Sequence, residues 1–331
     1  MGQLLSHPIQ DKTLDHKDHE TLSYSIGSMQ GYRMSMEDAH DVRVNEDESL
    51  AVFGVFDGHG GKHCAEYLSE NLPRRILRIL NESEGLQLGD YIRLIKDSFF
   101  KADHDLSKLP NTLNCGSTGI IATIVKGKYI IVSNTGDSRC ILSVNGLAKT
   151  LSFDHKPAIM NERIRIENSN GYILNNRINE ILALSRALGD FKFKVPYLSG
   201  SHNKYIMKNK KFYRKGLVLL PPELFQVTAE PDFMIYDLSN ETPEFIVLAC
   251  DGIWDCYKNG QLVKVIRQKL GLGWTLNRII EFVLDDCLLM ANSYTGIGFD
   301  NMTLIIVALH ENGNIDEWYE LMRHRVQYEE N

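Results

Sequence analysis

The sequence lacks the long apolar runs and the cysteine patterns that define several large classes of protein. Its 331 residues contain no apolar run long enough to span a bilayer and no signal-peptide core near the N-terminus, so we expect neither secretion nor a membrane span. The six cysteines form no C-x-x-C pair and no zinc-type spacing, which is typical of a reducing compartment. An excess of basic residues is also absent, since 36 Lys and Arg stand against 43 Asp and Glu for a net charge of −7, and this makes nucleic acid a poor prediction as a partner. We therefore expect a cytoplasmic protein, with nuclear residence also open.

Three common catalytic motifs are absent as well. CGSTG has Cys115 in the first glycine position of the serine-hydrolase elbow G-x-S-x-G. GHGGKH lacks the spacing and the Ser/Thr of a P-loop, and no H-E-x-x-H occurs. No internal repeat is present, and no stretch rich in Pro, Gly or Ser divides the chain. We therefore predict one catalytic domain over 23–310, after a loose polar lead-in at 1–22 and before a short C-terminal tail at 311–331.

The N-terminus does contain the acceptor pattern for a lipid. MGQLLS fits M-G-x-x-x-[ST], which would place myristate on Gly2. The pattern is loose, so coincidence is an equal alternative. A single acyl chain gives weak, reversible binding, and the membrane association that we expect is therefore peripheral.

Apolar periodicity predicts groups of strands and helices. Continuous apolar runs or strand-like composition predict strands at 23–31, 50–56, 118–125, 128–136, 138–144, 244–250 and 302–309. Helices are predicted at 62–83, 90–109, 158–168, 261–270 and 276–292. Lys126-Gly127 and Asn145-Gly146 are hairpin signals. Because the strands occur in hairpin-linked blocks and the helices mostly in consecutive pairs, we predict an α+β fold with mainly antiparallel sheets.

Acidic residues stand at the ends of several predicted strands. Any one of them is better explained as a turn residue or a helix cap. Together they indicate a carboxylate cluster, because clustered carboxylates repel one another unless a cation or a proton intervenes. All-oxygen ligands suit Mg²⁺ or Mn²⁺ rather than structural zinc. The candidates are Glu37, Asp38, Asp57, Asp251 and Asp300.

Two cationic side chains complete this chemistry. His59, in the glycine-rich turn DGHGG, could be a metal ligand, a structural hydrogen-bonding group or a general acid, and we favour a general acid for a leaving alkoxide. Arg33 offers a planar fork suited to phosphate, although its spacing from Glu37 favours a surface ion pair. Residue patterns alone thus predict a metal-dependent hydrolase of undefined substrate.

The chain also resembles one known family, the metal-dependent serine/threonine protein phosphatases of type 2C. The matching pieces run in family order from Ser23 to Leu309 and include GSMQGYRMSMEDAH, FGVFDGHGG, GSTGIIATIV, SNTGDSRC, DHKP, LALSRALGDFKFK, LACDGIWD and DNMTLIIV. The resemblance implies a central β-sandwich of two antiparallel sheets flanked by pairs of antiparallel helices. It also implies hydrolysis of phosphoserine and phosphothreonine in proteins, by water activated between two Mn²⁺ or Mg²⁺ ions, with a weaker third ion. Because the sequence offers no suitable Cys or Ser nucleophile, we expect the hydrolysis to take one step without a phosphoenzyme.

The resemblance further implies a role for each candidate residue. Asp57 would bridge both metals, the Gly58 carbonyl would bind one of them, and Glu37, Asp251 and Asp300 would serve the other. Asp137 would hold the third ion with Asp251, and Asp255 is a further candidate there. Asp38 would hold metal-bound water, His59 would protonate the leaving oxygen and Arg33 would clamp the phosphate. We expect a monomer acting on phosphoproteins.

The chain departs from the family pattern in two respects. Asn170 and Glu180 stand where the family usually has glycine. The stretch 191–229 is longer than usual and basic, and it contains Lys204, Lys208, Lys210, Lys211, Arg214 and Lys215. A solvated insertion is the favoured interpretation, and the alternative is a basic flap that selects acidic phosphosubstrates. Two rival functions also stay open, a phosphatase fold that only binds partners and a two-metal hydrolase of nucleotides.

Overall fold

Two antiparallel sheets pack face to face, and helices cover both outer faces. The computed structural model describes residues 3–199, 213–214, 217–239, 243–310 and 314–329. The longer strands are β1 (Leu4–Asp18), β2 (Leu22–Arg33), β3 (Ala39–Val44), β4 (Leu50–Phe56), β7 (Gly119–Val125), β8 (Tyr129–Thr135), β9 (Arg139–Val144), β10 (Leu147–Thr150), β17 (Asp232–Asp237), β18 (Phe245–Ala249) and β19 (Met302–Leu309). The short strands are β5 (Gly58–His59), β6 (Gly116–Ser117), β11 (Ile173–Leu174), β12 (Arg177–Ile178), β13 (Leu188–Gly189), β14 (Tyr197–Ser199), β15 (Tyr213–Arg214) and β16 (Leu217–Leu219). The α-helices are α1 (His63–Asn81), α2 (Leu88–Leu106), α3 (Met160–Asn168), α4 (Asp251–Trp254), α5 (Asn259–Gly271), α6 (Leu276–Leu289) and α7 (Ile315–Glu329).

The strand order confirms the predicted sandwich. One sheet has six strands in the order β1-β2-β19-β18-β9-β10, and the other has five in the order β17-β8-β7-β4-β3. Neighbouring strands in both sheets run antiparallel. Buried apolar side chains such as Phe53, Ile120 and Leu248 fill the space between the sheets. Because both faces of the central strands are covered, their sequences are continuously apolar rather than alternating.

The helices pack on the sheets in the pairs that the sequence predicts. Leu68, Leu72 and Ile76 of α1 are buried in one cluster with side chains of α2 and the five-stranded sheet. On the opposite face, Ile266 of α5 and Ile280 of α6 pack against the six-stranded sheet. Within the described ranges, no helix is long and apolar enough to cross a membrane.

Both ends of the chain have more structure than the sequence led us to expect. The prediction of a loose lead-in at 1–22 is wrong, because β1 pairs with β2 from Leu4 opposite Arg33 to Asp18 opposite Ser23. As the edge strand of its sheet, β1 keeps most of its side chains in solvent, and a polar sequence therefore does not prevent pairing. The predicted C-terminal tail contains α7, which buries Trp318 and Met322 in the core.

Part of the long insertion lies outside the described residues. The strands β14, β16 and β15 form a small antiparallel sheet within 191–229. The lysines at 204, 208, 210, 211 and 215 lie outside the described ranges, as does Gly2, and only the backbone is described at Arg214. Selection of acidic substrates by this segment and acylation of Gly2 therefore stay predictions.

Candidate active site

The antiparallel registers bring the predicted acids to one end of the sandwich. Ala39 pairs with Phe56, so that the residues just outside this pair, Asp38 and Asp57, lie at the same edge of the five-stranded sheet. In the six-stranded sheet β18 runs toward this end and β19 starts from it, which places Asp251 near Asp300. Asp137 follows β8 at the same end.

Three carboxylates form the tightest acidic cluster in the described part of the chain. One oxygen from each of Asp57, Asp137 and Asp251 lies within 4.8 Å of the others. Burial raises the pKa of Asp57 well above its ordinary value, and the charge of Asp251 adds to this shift. Burial and the charge of Asp137 do the same for the pKa of Asp251. Such mutual repulsion fits the oxygen-rich site of a divalent cation.

The other predicted ligands surround this cluster without joining it. Asp300, Glu37 and Gly58 line the same cleft, whose volume is about 640 Å³. The Glu37 carboxylate accepts hydrogen bonds from the Ser35 hydroxyl at 2.9 Å and from the Gly61 N–H at 3.1 Å. A Cβ at Gly58 would collide with the carbonyl oxygen of Glu37, which explains why glycine is needed at this position just after β4.

Arg33 lies in the cleft, but its ion-pair partner differs from the one that spacing favours. The guanidinium donates from Nη2 to Asp300 Oδ2 at 2.5 Å, and not to Glu37. Long-range strand pairing decides this, because β2 and β19 are neighbours in the six-stranded sheet. The Arg33 side chain is still 42% exposed, so part of its fork is available to a phosphate.

Asp38 lies behind the cleft rather than in its lining. Its Oδ2 accepts a hydrogen bond from the Thr303 hydroxyl at 2.7 Å. Burial raises the pKa of Asp38 to about 7, against the opposing effect of the hydrogen bonds from Thr303 and Cys250. The Asp38 carboxyl is thus held by Thr303 behind the residues that line the cleft.

Two cleft residues have contacts that sequence reasoning missed. Lys156 forms an ion pair with Asp137 and so offsets part of the negative charge of the cluster. Asp190 Oδ2 lies 2.6 Å from Nε2 of His59. Both stand in pieces that carry the family resemblance, DHKP and RALGD, but neither spacing nor residue type shows which distant group they meet.

His59 lines the cleft close to the acids. Burial lowers the pKa of His59, but the hydrogen bond and the charge of Asp190 outweigh burial, and the pKa lies above its ordinary value. An imidazole in this environment holds a proton more readily than one in water. That is the property that donation to a leaving alkoxide needs.

Comparison with known proteins identifies the family. The sequence model of the family "Protein phosphatase 2C" matches residues 22–295. The chain belongs to the protein phosphatase 2C family. It is 37% identical to "Protein phosphatase 2C homolog 4" of Saccharomyces cerevisiae, over 99% of each chain. It is 36% identical to "Protein phosphatase 2C homolog 3" of Schizosaccharomyces pombe, over 98% of this chain and 74% of that protein.

A solved structure supports the fold independently. A phosphatase from Toxoplasma gondii superposes with a TM-score of 0.69 at 22% identity, covering 91% of this chain and 96% of that one. The family resemblance seen in the sequence is therefore confirmed, and the chain is a metal-dependent protein serine/threonine phosphatase. Membership in this family displaces the rival function of a nucleotide hydrolase.

Proposed function

We propose that this phosphatase removes phosphate from phosphoserine and phosphothreonine of proteins in one step at a two-metal centre. Glu37, Asp57, Asp251, Asp300 and the Gly58 carbonyl would hold two Mn²⁺ or Mg²⁺ ions, and Asp137 would contribute to a third, weaker site. When bound, the ions would activate water as the nucleophile and offset the charge of the phosphate. The observation that carries the proposal is the convergence of carboxylates from three separate segments within 4.8 Å.

The side chains of the cleft have distinct tasks in this proposal. Arg33 binds and orients the phosphate, and its hydrogen bond to Asp300 at 2.5 Å holds one nitrogen of the guanidinium. His59 gives a proton to the serine or threonine oxygen as the ester bond breaks. Direct hydrolysis suits this cleft, since no cysteine is among the described residues that line it, and the hydroxyl of Ser35 there is engaged by the proposed metal ligand Glu37. Cys64, a thiol near the glycine-rich turn, is fully buried, and burial raises its pKa far above the ordinary value.

Phosphate release from a phosphothreonine peptide tests the proposal. The full chain would be stripped of metal and assayed with Mn²⁺, with Mg²⁺ and with EDTA, beside Asp57→Asn. Asp47→Asn is a matched control, because Asp47 lies in the exposed turn between β3 and β4. We expect metal-dependent turnover in the wild type and in the control, and none in Asp57→Asn. Equal turnover in EDTA, or a trapped covalent phosphoenzyme, would contradict the proposal.

We also propose that Gly2 is myristoylated and that the phosphatase is a monomer in the cytoplasm, with weak association with membranes. The proposal is supported by the MGQLLS pattern, and one acyl chain confers only reversible binding. Mass spectrometry of the N-terminal peptide from a eukaryotic host should show the acyl group. An unmodified Gly2 would remove the lipid from this account.

A further inference from the structure

One ring nitrogen of His59 is fixed by a buried carboxylate. Nε2 lies 2.6 Å from Asp190 Oδ2, and the Asp190 side chain is only 5% exposed. Because an ionised carboxylate can only accept, Nε2 must carry the hydrogen of this bond. Nδ1 has no hydrogen-bond partner among the described residues, and the His59 ring lines the cleft. One nitrogen is therefore held, and the other is available to a substrate.

The turn that carries Asp190 is held by buried contacts of its own. Asp190 has a φ of 53°, in the left-handed region that glycine adopts most readily and that Asp adopts with the help of local hydrogen bonds. Asp103 of α2 accepts a hydrogen bond from the Gly189 N–H at 2.8 Å and forms an ion pair with Lys194 at 2.6 Å. The Asp190 N–H donates to the carbonyl of Cys115 at 3.0 Å. A strained conformation persists only where its surroundings enforce it, and these contacts do so.

The backbone opposite the pair leaves room for it. Gly116 of β6 pairs with His59 on one side and with Gly189 on the other, which places the pair beside a three-stranded sheet. A Cβ at Gly116 would collide with Asp190 Oδ2 and would lie 2.6 Å from His59 Nε2. The absence of a side chain at Gly116 is thus a second, independent sign that the fold accommodates this contact.

We propose that Asp190 is a positioning residue for His59, which fixes the ring so that Nδ1–H is the proton donor to the leaving oxygen. The proposal rests on the function proposed above, in which His59 is the general acid. As the water oxygen bonds to phosphorus and the ester P–O bond breaks, the electron pair of the broken bond stays on the serine or threonine oxygen, and the Nδ1 proton moves to that oxygen. Asp190 keeps the Nε2–H hydrogen bond throughout. Without Asp190 the ring could turn, and Nδ1–H would no longer be held toward the leaving oxygen.

The dependence of the rate on the leaving group separates this role from a general loss of structure. A phosphothreonine peptide releases an alkoxide that needs a proton, whereas p-nitrophenyl phosphate releases a stable anion that does not. The full chain with Mn²⁺ would be assayed on both. We expect Asp190→Asn to lower kcat on the peptide by about 10- to 100-fold and kcat on the aryl phosphate by less than about 3-fold, as part of the effect of a general acid is lost.

Two further variants make the result interpretable. His59→Gln should show the same selectivity, and adding Asp190→Asn to it should cause little further loss. Glu48→Gln is the matched control, since Glu48 also has a positive φ of 54° and its carboxylate lies 2.8 Å from the ring of His19. It stands at the other end of the sandwich, in the turn before β4, and its peptide-to-aryl rate ratio should equal that of the wild type.

The outcomes distinguish the inference from the function on which it rests. If His59→Gln affects both substrates equally, His59 is not the general acid and the proposed function fails at that point. If His59→Gln is selective but Asp190→Asn is not, or if their effects multiply in the double variant, the role of Asp190 is overturned. Should Asp190→Asn fail to fold, Asp103→Asn, which loosens the same turn from outside the cleft, decides between selective loss and uniform loss.

Discussion

Replacing Glu180 by glycine should stabilise the protein, because Glu180 lies in a turn that suits glycine. The N–H of Ile181 donates to the carbonyl of Ile178 at 2.9 Å, which closes a four-residue turn. Its two central residues, Asn179 and Glu180, have φ values of 49° and 65°. Positive φ at both central positions defines a type I′ turn, for which Asn-Gly is the preferred pair. Glu180 is the exception to that preference.

The expected gain follows from two opposing effects. The left-handed conformation costs an L-residue about 1–2 kcal/mol, which glycine does not incur. Glycine adds about 0.4–1 kcal/mol of conformational entropy to the unfolded chain, which offsets part of the gain. Glu180 also accepts a hydrogen bond from the Tyr172 hydroxyl at 2.9 Å, but this contact is at the surface and its loss matters little. We expect Glu180→Gly to raise the free energy of unfolding by about 0.5–1 kcal/mol.

Asn170→Gly is the matched comparison for this experiment. Asn170 has a φ of 62° and follows the C-terminal residues of α3, where the Gly171 N–H donates to the Ile166 carbonyl at 2.9 Å. Asparagine tolerates this position far better than glutamate does, so Asn170→Gly should change stability little. Urea denaturation of the three proteins measures both differences. A loss of stability in Glu180→Gly, or an equal gain in both variants, would refute the argument from backbone strain.

Two further predictions concern stability. Burial raises the pKa of Glu162, but the hydrogen bond from Arg186 and the charge of Arg165 outweigh burial and lower it to about 2. A carboxyl with a depressed folded-state pKa stabilises above its ordinary value of 4.5, so about 3 kcal/mol should be lost as the pH falls from 4.5 toward 2. Urea denaturation measured across this pH range should show that the free energy of unfolding of Glu162→Gln depends less on pH than that of the wild type. An equal dependence on pH in both proteins would contradict the linkage between the Glu162 pKa and stability. Trp318→Ala should cost about 3–5 kcal/mol, because the indole of α7 is 3% exposed. Leu321→Ala, at a side chain 46% exposed on the same helix, should cost far less, and equal losses would mean that α7 does not pack as described.

Much of the fold could be predicted because its signals are local. The continuous apolar run 50–56 and the spacing of Leu68, Leu72 and Ile76 each report burial directly, and the structure confirms both elements. The strand β1 gives no such signal, since an edge strand with exposed side chains looks like a polar loop. The helix α7 does carry a local signal, since Trp318, Met322 and Val326 are spaced four residues apart, and the structure buries all three side chains.

The candidate site divides in the same way. Acids at strand ends can be predicted from a sequence because the continuous apolar run of each strand ends just before them. Which acids approach one another depends on register and on competing cations, and only the structure shows that Asp137 joins Asp57 and Asp251 in the closest cluster while Arg33 engages Asp300. The same holds for Asp190, which is 131 residues from His59 along the chain. The dipeptide Gly189-Asp190 predicts a turn, but it does not predict that the Asp190 side chain contacts His59.

The most direct test of the central claim is the binding of Mn²⁺ itself, measured by calorimetric titration of the metal-free chain. Wild type should bind two ions tightly, and Asp57→Asn should lose that binding while keeping the circular-dichroism spectrum of the folded protein. Asp47→Asn should bind as the wild type does. A wild type that binds no Mn²⁺, or an Asp57→Asn variant that binds it with unchanged stoichiometry and affinity, would contradict the assignment of the carboxylate cluster as the metal centre.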